Sequence, residues 1–217
     1  MSKIMSTNPY NLKIIVLAAG KSERFEAIKL LAKVKNLAHS TPLILHVLQK
    51  ITESLAVLNI DKSNLHVATG GYHEQISDII DNQFSLTYSS LAHMGLGHTI
   101  AQSVEKIINN DDCASHIMIT LADQIALTTD DYIQLIEQSL SMPNKLICAK
   151  SGIEVMPPAI FPRHYFTQLM NLTGDKGAKA LLHKNKENLQ EVLLPNAAKD
   201  IDTKQDLIDW HKKNTLN

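Results

Sequence analysis

The sequence has little cysteine, almost no net charge and no long hydrophobic run, and each of these scarcities excludes a class of protein. Its 217 residues include two cysteines, Cys113 and Cys148, with no Cys-x-x-Cys pair. A disulfide framework and the common structural zinc patterns are thereby excluded, and this cysteine content is typical of a reducing compartment. We therefore expect a cytoplasmic protein.

The charge balance restricts the partners of the chain. Its 21 lysines and arginines nearly match its 22 acidic residues, so the formal net charge is −1. Such a balance gives no electrostatic footprint for nucleic acid or an anionic membrane. No apolar run approaches the ~20 residues of a membrane helix, and residues 1–11 lack the apolar core of a signal peptide. We expect no nucleic acid and no membrane partner, and any polyanion must be small and bound at a local site.

The length and hydrophobic content indicate one globular domain. Domains commonly contain roughly 100–200 residues, and a hydrophobic fraction of 44% excludes a disordered chain. We expect a loose tail at residues 1–11 and a single domain at residues 12–217.

Short apolar strands alternate with amphipathic helices along the chain. Residues 13–19 form a continuous apolar run, which is typical of a strand buried on both faces. Thr41 and Pro42 have the pattern of an N-cap and a first helical residue. Pro157-Pro158 predicts an edge strand or a turn, because proline disrupts a central strand. The alternation predicts an α/β fold with a mostly parallel sheet and helices on both faces. The other predicted strands are at residues 65–69, 86–88, 116–121 and 145–149, and helices are predicted from residue 42, at 73–82 and 98–108, from residue 129, and at 163–170, 175–183 and 203–211.

Four segments are expected at the ligand-binding edge of this sheet. In open α/β sheets, ligands bind beyond the carboxyl ends of the strands. The segments that follow predicted strands there are residues 19–29, Gly70-Gly71, residues 95–99 and Asp123.

The segment after the first strand, L-A-A-G-K-S-E-R-F-E-A-I-K, has the features of a phosphate-binding loop. It lacks both the GxxxxGK[ST] and the GxGxxG patterns. Gly20 allows a close backbone approach, Ser22 is small, and Arg24 and Lys29 are cations, which together suit a phosphate cradle. The alternative interpretation is a glycine turn with two solvated charges.

Two carboxylates are candidate metal ligands. Asp123 directly follows an apolar strand, where a carboxylate can bind Mg²⁺ together with substrate phosphates. Asp202 is the second candidate, in the sequence D-I-D-T. The alternatives are that Asp123 begins a turn, and that Asp202 or Thr203 caps the last helix, since Thr203-x-x-Asp206 resembles a capping box.

Other polar residues carry weaker signals. Asp175 is a plain N-cap candidate, and Lys176 and Lys179 fit surface positions. The ten histidines form no metal spacing such as HExxH. Ser22 lacks a GxSxG context, which argues against a serine hydrolase.

Four blocks together resemble the MobA-like NTP transferase family, in the family's order and over almost the whole chain. L-A-A-G-x-S-x-R-(x)4-K is met at residues 17–29, and G-x-G-x-(S/T) at residues 95–99. The aspartate of a G-D-Q-P block is Asp123. G-D-x-G-A-(R/K) is met at residues 174–179 and is followed by D-I-D-T. The chain is most similar to the molybdenum cofactor cytidylyltransferase branch.

The chain also departs from the family pattern. Glu26 replaces a glycine of the first block, and Ala122 and Ile125 replace the glycine and proline that flank the aspartate. Met156 begins a stretch that is glycine-polar-proline-valine in relatives, near their acceptor pocket. These departures bear more on the identity of the acceptor than on the identity of the nucleotide.

The resemblance implies a Rossmann-like fold and transfer of a nucleotidyl group from an NTP to a small phosphorylated acceptor, with Mg²⁺ as cofactor. Ala18-Ala19-Gly20 favours CTP, since guanylyl-transferring relatives carry Ala-Gly-Gly. Molybdopterin is the favoured acceptor, and a molybdenum enzyme is a candidate recipient. The alternatives are guanylyl or another nucleotidyl transfer, and a non-catalytic accessory protein that binds nucleotide and cofactor. The assigned residues are Lys29, Arg24 and Asp123 for catalysis; Leu17, Ala18, Ala19, Gly20, Ser22, Arg24, Lys29 and Gly70 for the nucleotide; Gly95, Gly97, Thr99 and Asp175 for the acceptor; and Asp123 and Asp202 for the metal.

Overall fold

The structure, a computed structural model, describes residues 10–25, 27–35, 40–80 and 84–214. Glu26 and most of the predicted N-terminal tail, residues 1–9, lie outside the described residues. The last two residues of that tail are anchored. The Tyr10 ring lies 4.5 Å from the His116 ring, and the Asn11 amide donates to Ser115 Oγ at 2.8 Å. The chain is therefore tied to the domain from Tyr10 onward.

The described residues form nine strands and seven α-helices, joined by short 3₁₀ turns. The strands are β1 (Leu12–Ala18), β2 (Lys33–Lys35), β3 (Ser40–Pro42), β4 (Leu65–Thr69), β5 (Ser85–Tyr88), β6 (His116–Leu121), β7 (Leu146–Ser151), β8 (Glu154–Pro162) and β9 (Leu189–Leu193). The helices are α1 (Leu43–Val57), α2 (His73–Ser77), α3 (Leu96–Asn110), α4 (Thr129–Ser141), α5 (Phe166–Met170), α6 (Gly177–Lys184) and α7 (Lys204–Asn214). None of these described helices combines the length and apolar composition that a bilayer crossing requires.

Seven strands form the central sheet, in the order β5-β4-β1-β6-β8-β7-β9. β1 is parallel to both β4 and β6, and β5 extends the parallel half beyond β4. β8 is antiparallel to its neighbours β6 and β7, while β9 is parallel to β7. The prediction of a mostly parallel, Rossmann-like sheet is confirmed.

Helices cover both faces of this sheet, and β1 therefore buries its side chains on both faces. Ile14 and Val16 pack in the core beneath α1 and α4, and Ile15 and Leu17 pack in the core beneath α3, α5 and α6. Side chains alternate between the two faces of a strand, so an uninterrupted apolar run is needed where both faces are covered.

The predicted start of α1 is wrong at Thr41. Thr41 lies in β3, opposite Val34 of the short antiparallel β2–β3 ribbon. α1 begins at Leu43 after Pro42, without a side-chain cap. Strand pairing fixes the Thr41 backbone here and overrides the local capping signal. The next predicted helix, residues 73–82, is also shorter, since α2 ends at Ser77.

The prediction of an edge strand or a turn at Pro157-Pro158 is wrong. Both prolines lie within β8, between two neighbouring strands. The pairing with β7 shifts register here, from Cys148–Ala159 to Ala149–Met156, and the pairing with β6 ends at Ala159. The bulge leaves both prolines outside the paired positions, so the sheet tolerates their missing N–H groups.

Candidate active site

The site lies where β1 and β6 end side by side. Leu17 is in register with Leu121, and the Ala122 amide donates to the Leu17 carbonyl at 3.0 Å. The loop after β1 and Asp123 after β6 therefore emerge at the same edge of the sheet, as expected for parallel strands.

Ser22 shapes the loop that follows β1. Its backbone is in the left-handed region, with φ of +54°, and its carbonyl accepts from the Phe25 amide at 3.0 Å. Its hydroxyl accepts from the Lys29 amide at 3.2 Å. Phe25 is buried beneath the loop. These contacts turn the chain back, so that the Lys29 side chain points to the strand ends.

Two cations and two carboxylates form a continuous ion-pair network. Lys29 Nζ lies 2.8 Å from Asp123 Oδ2 and 3.1 Å from Asp202 Oδ1. Arg24 Nη2 lies 2.6 Å from Asp202 Oδ2. Burial alone would lower the pKa of Lys29, whose side chain is 12% exposed, but the charges and hydrogen bonds of the two aspartates outweigh it and raise that pKa. Lys29 is therefore held as an ammonium.

Asp200, which was not among the predicted metal ligands, joins Asp123 and Asp202 in the structure. One carboxylate oxygen from each of Asp123, Asp200 and Asp202 lies within 4.8 Å of the others. Burial and the neighbouring aspartates raise the pKa of Asp200. The spacing of Asp200 and Asp202, two residues apart in extended chain, was the available signal, because such residues share one side.

This oxygen set fits a hard divalent cation. Mg²⁺ and Mn²⁺ prefer carboxylate oxygens. Asp123 Oδ1 is buried and has no hydrogen-bond partner, and a buried unpaired carboxylate oxygen is costly unless a ligand completes it. A divalent metal at Asp123, Asp200 and Asp202 would complete it.

The last helix does not use Asp202 as its cap. Thr203 Oγ1 accepts from the Asp206 amide at 3.1 Å, and Asp206 Oδ2 accepts from the Thr203 amide at 2.7 Å. These two bonds form the capping box that the sequence suggests. The carboxylate of Asp202 is left to the ion-pair network.

A cleft of about 580 Å³ lies beside the network. Thr99 lies in its wall and has a buried hydroxyl without a hydrogen-bond partner. His93 also lines the cleft; nothing in the sequence singled it out. The predicted nucleotide residues Ala19, Gly20, Ser22, Arg24 and Lys29 and the predicted acceptor residues Gly95, Thr99 and Asp175 all line this cleft.

Glycines allow the loops of this cleft to approach closely. Gly95 has φ of +115°, and a Cβ there would lie 2.5 Å from Asp175 Oδ1. A Cβ at Gly97 would lie 2.7 Å from the Thr173 carbonyl, and one at Gly70 would lie 2.8 Å from the Ala92 Cβ. Gly70 and Gly97 are thus packing positions and do not line this cleft, and neither does Ala18.

The interpretation of Asp175 as an N-cap is wrong. α6 begins at Gly177 after Lys176, without a side-chain cap. Asp175 lies in the wall of the larger cleft because its loop packs against Gly95 and Gly97, and the Gly97 amide donates to the Gly174 carbonyl at 2.8 Å.

A second cleft of about 330 Å³ adjoins the first across Leu96, which lines both. Its wall is mostly apolar and includes Leu17, which was predicted to contact the nucleotide. Lys176 and Lys179 are at this cleft, and Lys179 also forms an ion pair with Glu154 at 2.8 Å. The other lining residues are Leu121, Gln124, Met156, Pro157, Ala178, Ala197, Ala198 and Asp200.

Gln124 joins three segments behind this second cleft, and its side chain was not singled out in the sequence. Its Nε2 donates to the Pro157 carbonyl at 2.7 Å and to the Ala197 carbonyl at 2.8 Å. Its Oε1 accepts from the Leu121 amide and the Thr120 hydroxyl. The segment that carries Asp200 and Asp202 is thereby held against the end of β6.

The fold is shared with solved structures of low sequence identity. Rv0371c from Mycobacterium tuberculosis H37Rv is 20% identical, with a TM-score of 0.74 over 94% of this chain and 98% of that one. The same protein in complex with manganese is 18% identical, with a TM-score of 0.73 over 94% and 98%. A CMP:2-keto-3-deoxy-manno-octonic acid synthetase complexed with CTP is 12% identical, with a TM-score of 0.68 over 94% and 98%.

The sequence comparisons give the family. No curated protein matches the chain. The model of the MobA-like NTP transferase domain matches residues 14–190, a span that includes the loop after β1, Asp123 and the block at residues 174–179. The chain belongs to the MobA-like NTP transferase family and is a nucleotidyltransferase, as its four sequence blocks predict.

Proposed function

We propose that the chain transfers CMP from CTP to a small phosphorylated acceptor, with molybdopterin favoured, and releases pyrophosphate. One observation carries this proposal. A cleft with a two-cation loop and a carboxylate cluster adjoins a second, mostly apolar cleft with two lysines. A triphosphate and an acceptor could therefore meet at the boundary between the two clefts.

The larger cleft is the proposed nucleotide site. The backbone at Gly20, together with Arg24, would bind the β- and γ-phosphates, as cations and exposed amides do in phosphate cradles. Ser22 acts by shaping the loop, since its hydroxyl already accepts from the Lys29 amide. Gly95, Thr99 and Asp175 share this cleft, so we place them on the nucleotide side, and the Thr99 hydroxyl is buried in its wall without a hydrogen-bond partner.

The proposed reaction is an in-line displacement. An acceptor phosphate oxygen attacks the α-phosphorus, a new P–O bond forms, and the bond to pyrophosphate breaks. Lys29 would offset the negative charge that grows at the α-phosphate. Asp123 and Asp202, with Asp200 beside them, would hold a divalent metal, which when bound supplies charge neutralisation across the phosphates. No protein nucleophile is required.

The smaller cleft is the proposed acceptor site. Lys176 and Lys179 are cations at a mostly apolar wall that also includes Gln124 and Asp200, which suits an anionic group on a mostly apolar body. Met156 and Pro157, where the chain departs from the family pattern, line this cleft. The departure therefore bears on the acceptor, and molybdopterin is favoured by the family resemblance. A molybdenum enzyme remains the proposed recipient of the product.

CTP is favoured on two grounds. The loop carries Ala18-Ala19-Gly20, and a solved structure with the same fold has CTP bound. Ala19 lines the larger cleft and packs against Gly70, so its methyl group occupies space that a glycine would leave open. This methyl group favours the smaller pyrimidine over guanine.

A thermal-shift panel tests the nucleotide, and pyrophosphate release tests the reaction. With Mg²⁺ present, CTP should raise the melting temperature more than GTP, ATP or UTP, because a ligand at ~100 times its Kd stabilises by about 2.7 kcal/mol. A larger shift with GTP would contradict cytidylyl transfer and leave nucleotidyl transfer standing. Pyrophosphate should appear when molybdopterin is added with CTP. Binding of CTP and molybdopterin without any pyrophosphate would favour the accessory role instead.

A further inference from the structure

The carboxylates proposed to bind the metal are already paired with cations of the chain. Lys29 takes one oxygen from Asp123 and one from Asp202, and Arg24 takes the second oxygen of Asp202. Of the four oxygens on these two aspartates, Asp123 Oδ1 is the one without a hydrogen-bond partner. The positive charge that this oxygen cluster needs is therefore supplied by side chains.

A divalent cation would compete with these side chains. A metal bound to Asp123 and Asp202 would lie within a few ångströms of the Lys29 ammonium, which contacts the same two carboxylates. Like charges this close repel strongly where water is partly excluded, and the Lys29 side chain is 12% exposed. Both cations would have to move, or find other anionic partners, before the metal binds well.

A triphosphate supplies such partners. Arg24 and Lys29 line the same cleft as Gly20, next to the backbone proposed to hold the phosphates. We propose that, in the nucleotide-free protein, Lys29 and Arg24 neutralise the carboxylates of Asp123 and Asp202 in place of the metal. The metal can bind these two carboxylates once a triphosphate draws the two side chains away. Metal and triphosphate then bind as linked ligands, each favouring the other.

The inference rests on the proposed use of Asp123 and Asp202 as metal ligands, and one variant tests it with two ligands. Lys29→Met keeps the length of the side chain and removes its charge. In nucleotide-free protein, Mn²⁺ binding followed by electron paramagnetic resonance of the unbound ion should become about tenfold tighter than in the parent protein. In metal-free buffer with chelator, calorimetry should show tripolyphosphate binding about tenfold weaker. General damage to the site would weaken both.

The matched control is Lys176→Met, which removes one positive charge from the neighbouring cleft without a contact to Asp123 or Asp202. It should change Mn²⁺ affinity by less than about twofold, because only through-space charge is altered. Unchanged or weaker Mn²⁺ binding in Lys29→Met, an equal gain in Lys176→Met, or no Mn²⁺ binding in any of the three proteins would overturn the inference. Neither measurement uses CTP or an acceptor, so failure of the proposed nucleotide or acceptor leaves this test separate.

Discussion

Lys29 contacts two carboxylates that lie far apart in the sequence. Asp123 follows β6 and Asp202 precedes α7, yet both accept from the same ammonium. The proximity arises because the loop after β1 folds back through Ser22 and places Lys29 over the strand ends. One cation therefore links the phosphate loop to both predicted metal ligands, and we expect its removal to lower the rate of the reaction.

We predict that Lys29→Ala lowers kcat by a factor on the order of 10²–10³, by analogy with the loss of one donor that stabilises transition-state charge. The fold should survive, because the side chain contributes ion pairs at the sheet edge and little apolar packing. Steady-state pyrophosphate release measures the effect. Lys33→Ala, an exposed lysine on β2, is the control and should keep normal turnover. A near-normal kcat in the Lys29 variant would show that the ion pairs of Lys29 do not contribute to catalysis.

The capping box allows the role of Asp202 to be separated from helix stability. Asp202→Asn should raise the Mg²⁺ concentration for half-maximal rate, since a neutral amide is a poorer Mg²⁺ ligand than a carboxylate. Its melting temperature should stay nearly unchanged, because partly exposed ion pairs contribute little. Asp123→Asn should show the same effect more strongly.

Thr203→Ala is the control for this pair of variants. It removes the hydroxyl that accepts from the Asp206 amide but keeps the bond from the Asp202 amide to Asp206 Oδ2, and it should cost about 1 kcal/mol of stability, with normal magnesium dependence. Normal magnesium dependence in Asp202→Asn would instead leave Asp202 as a partner of Arg24 and Lys29 only.

At the scale of single residues, the sequence predicted those site residues that lie within a recognisable sequence motif. Lys29, Asp123 and Asp202 belong to recognisable blocks, and the structure brings them together. Asp200 and Gln124 belong to the same blocks as Asp202 and Asp123, but their roles depend on partners more than 30 residues away, such as Pro157 for Gln124. Contacts of this kind depend on tertiary packing, so the blocks place these two residues near the site without giving their partners.

At the scale of elements, the segment at residues 195–202 has to be held in place from outside. It contains the 3₁₀ turn Pro195–Ala198 and no strand that pairs it to the sheet. Gln124 provides the anchor at the Ala197 carbonyl, and the Ile201 amide donates to the Asp123 carbonyl at 3.3 Å. The position of Asp202 relative to Asp123 therefore depends on a side chain that touches neither carboxylate.

Gln124→Met should weaken both the fold and the metal site. The variant keeps the side-chain length but removes the donor of the Pro157 and Ala197 carbonyls and the acceptor of the Leu121 amide and the Thr120 hydroxyl. Each buried group that is left unpaired costs about 1–3 kcal/mol. Urea unfolding should show this loss, and the Mg²⁺ concentration for half-maximal rate should rise in the protein that remains folded. Gln49→Met on α1, where the side chain bonds to Glu53 near the surface, should change stability by less than about 0.5 kcal/mol. Unchanged magnesium dependence in Gln124→Met would limit Gln124 to a structural role.

Helices and strands were predicted well where the hydrophobic pattern was strong. They were predicted poorly where pairing with a partner strand determines the local structure. The buried strands β1, β4 and β6 follow from short apolar runs, and their predicted bounds agree with the structure to within one residue. Thr41 and the Pro157-Pro158 pair were misplaced because partner strands fix them. The β-bulge that leaves the two prolines outside the paired positions cannot be predicted from the sequence of one strand alone.

For the whole molecule, the parallel half of the sheet places the ends of β1, β4 and β6 together, and this follows from the alternation of strands and helices. The antiparallel insertion of β8 between β6 and β7 does not follow from it. That insertion brings Met156 and Pro157 to the smaller cleft, which is why the family departure there lies next to the proposed acceptor.

Stability of the whole molecule should depend on pH through His66 in β4. Burial first, and then the charges of Lys13 and Lys106, lower the pKa of His66 from 6.5 to about 4, and its Nε2 has no hydrogen-bond partner. Above about pH 6.5 the side chain is neutral in both the folded and the unfolded chain, and the stabilising effect is fully present. As the pH falls from about 6.5 to 4, the unfolded chain binds a proton that the folded chain does not, so the free energy of unfolding decreases, by up to about 3 kcal/mol.

His66→Phe should remove this part of the pH dependence, because phenylalanine is apolar, similar in size and does not titrate. Urea unfolding at pH 7.5, 6.0 and 4.5 measures it, as the difference between the parent protein and the variant at each pH. This difference should move in favour of the variant as the pH is lowered. His183→Phe, at an exposed position on α6, controls for the loss of a histidine and should follow the parent protein. Parallel pH curves for the parent protein and His66→Phe would show that His66 gains its proton without opening the sheet.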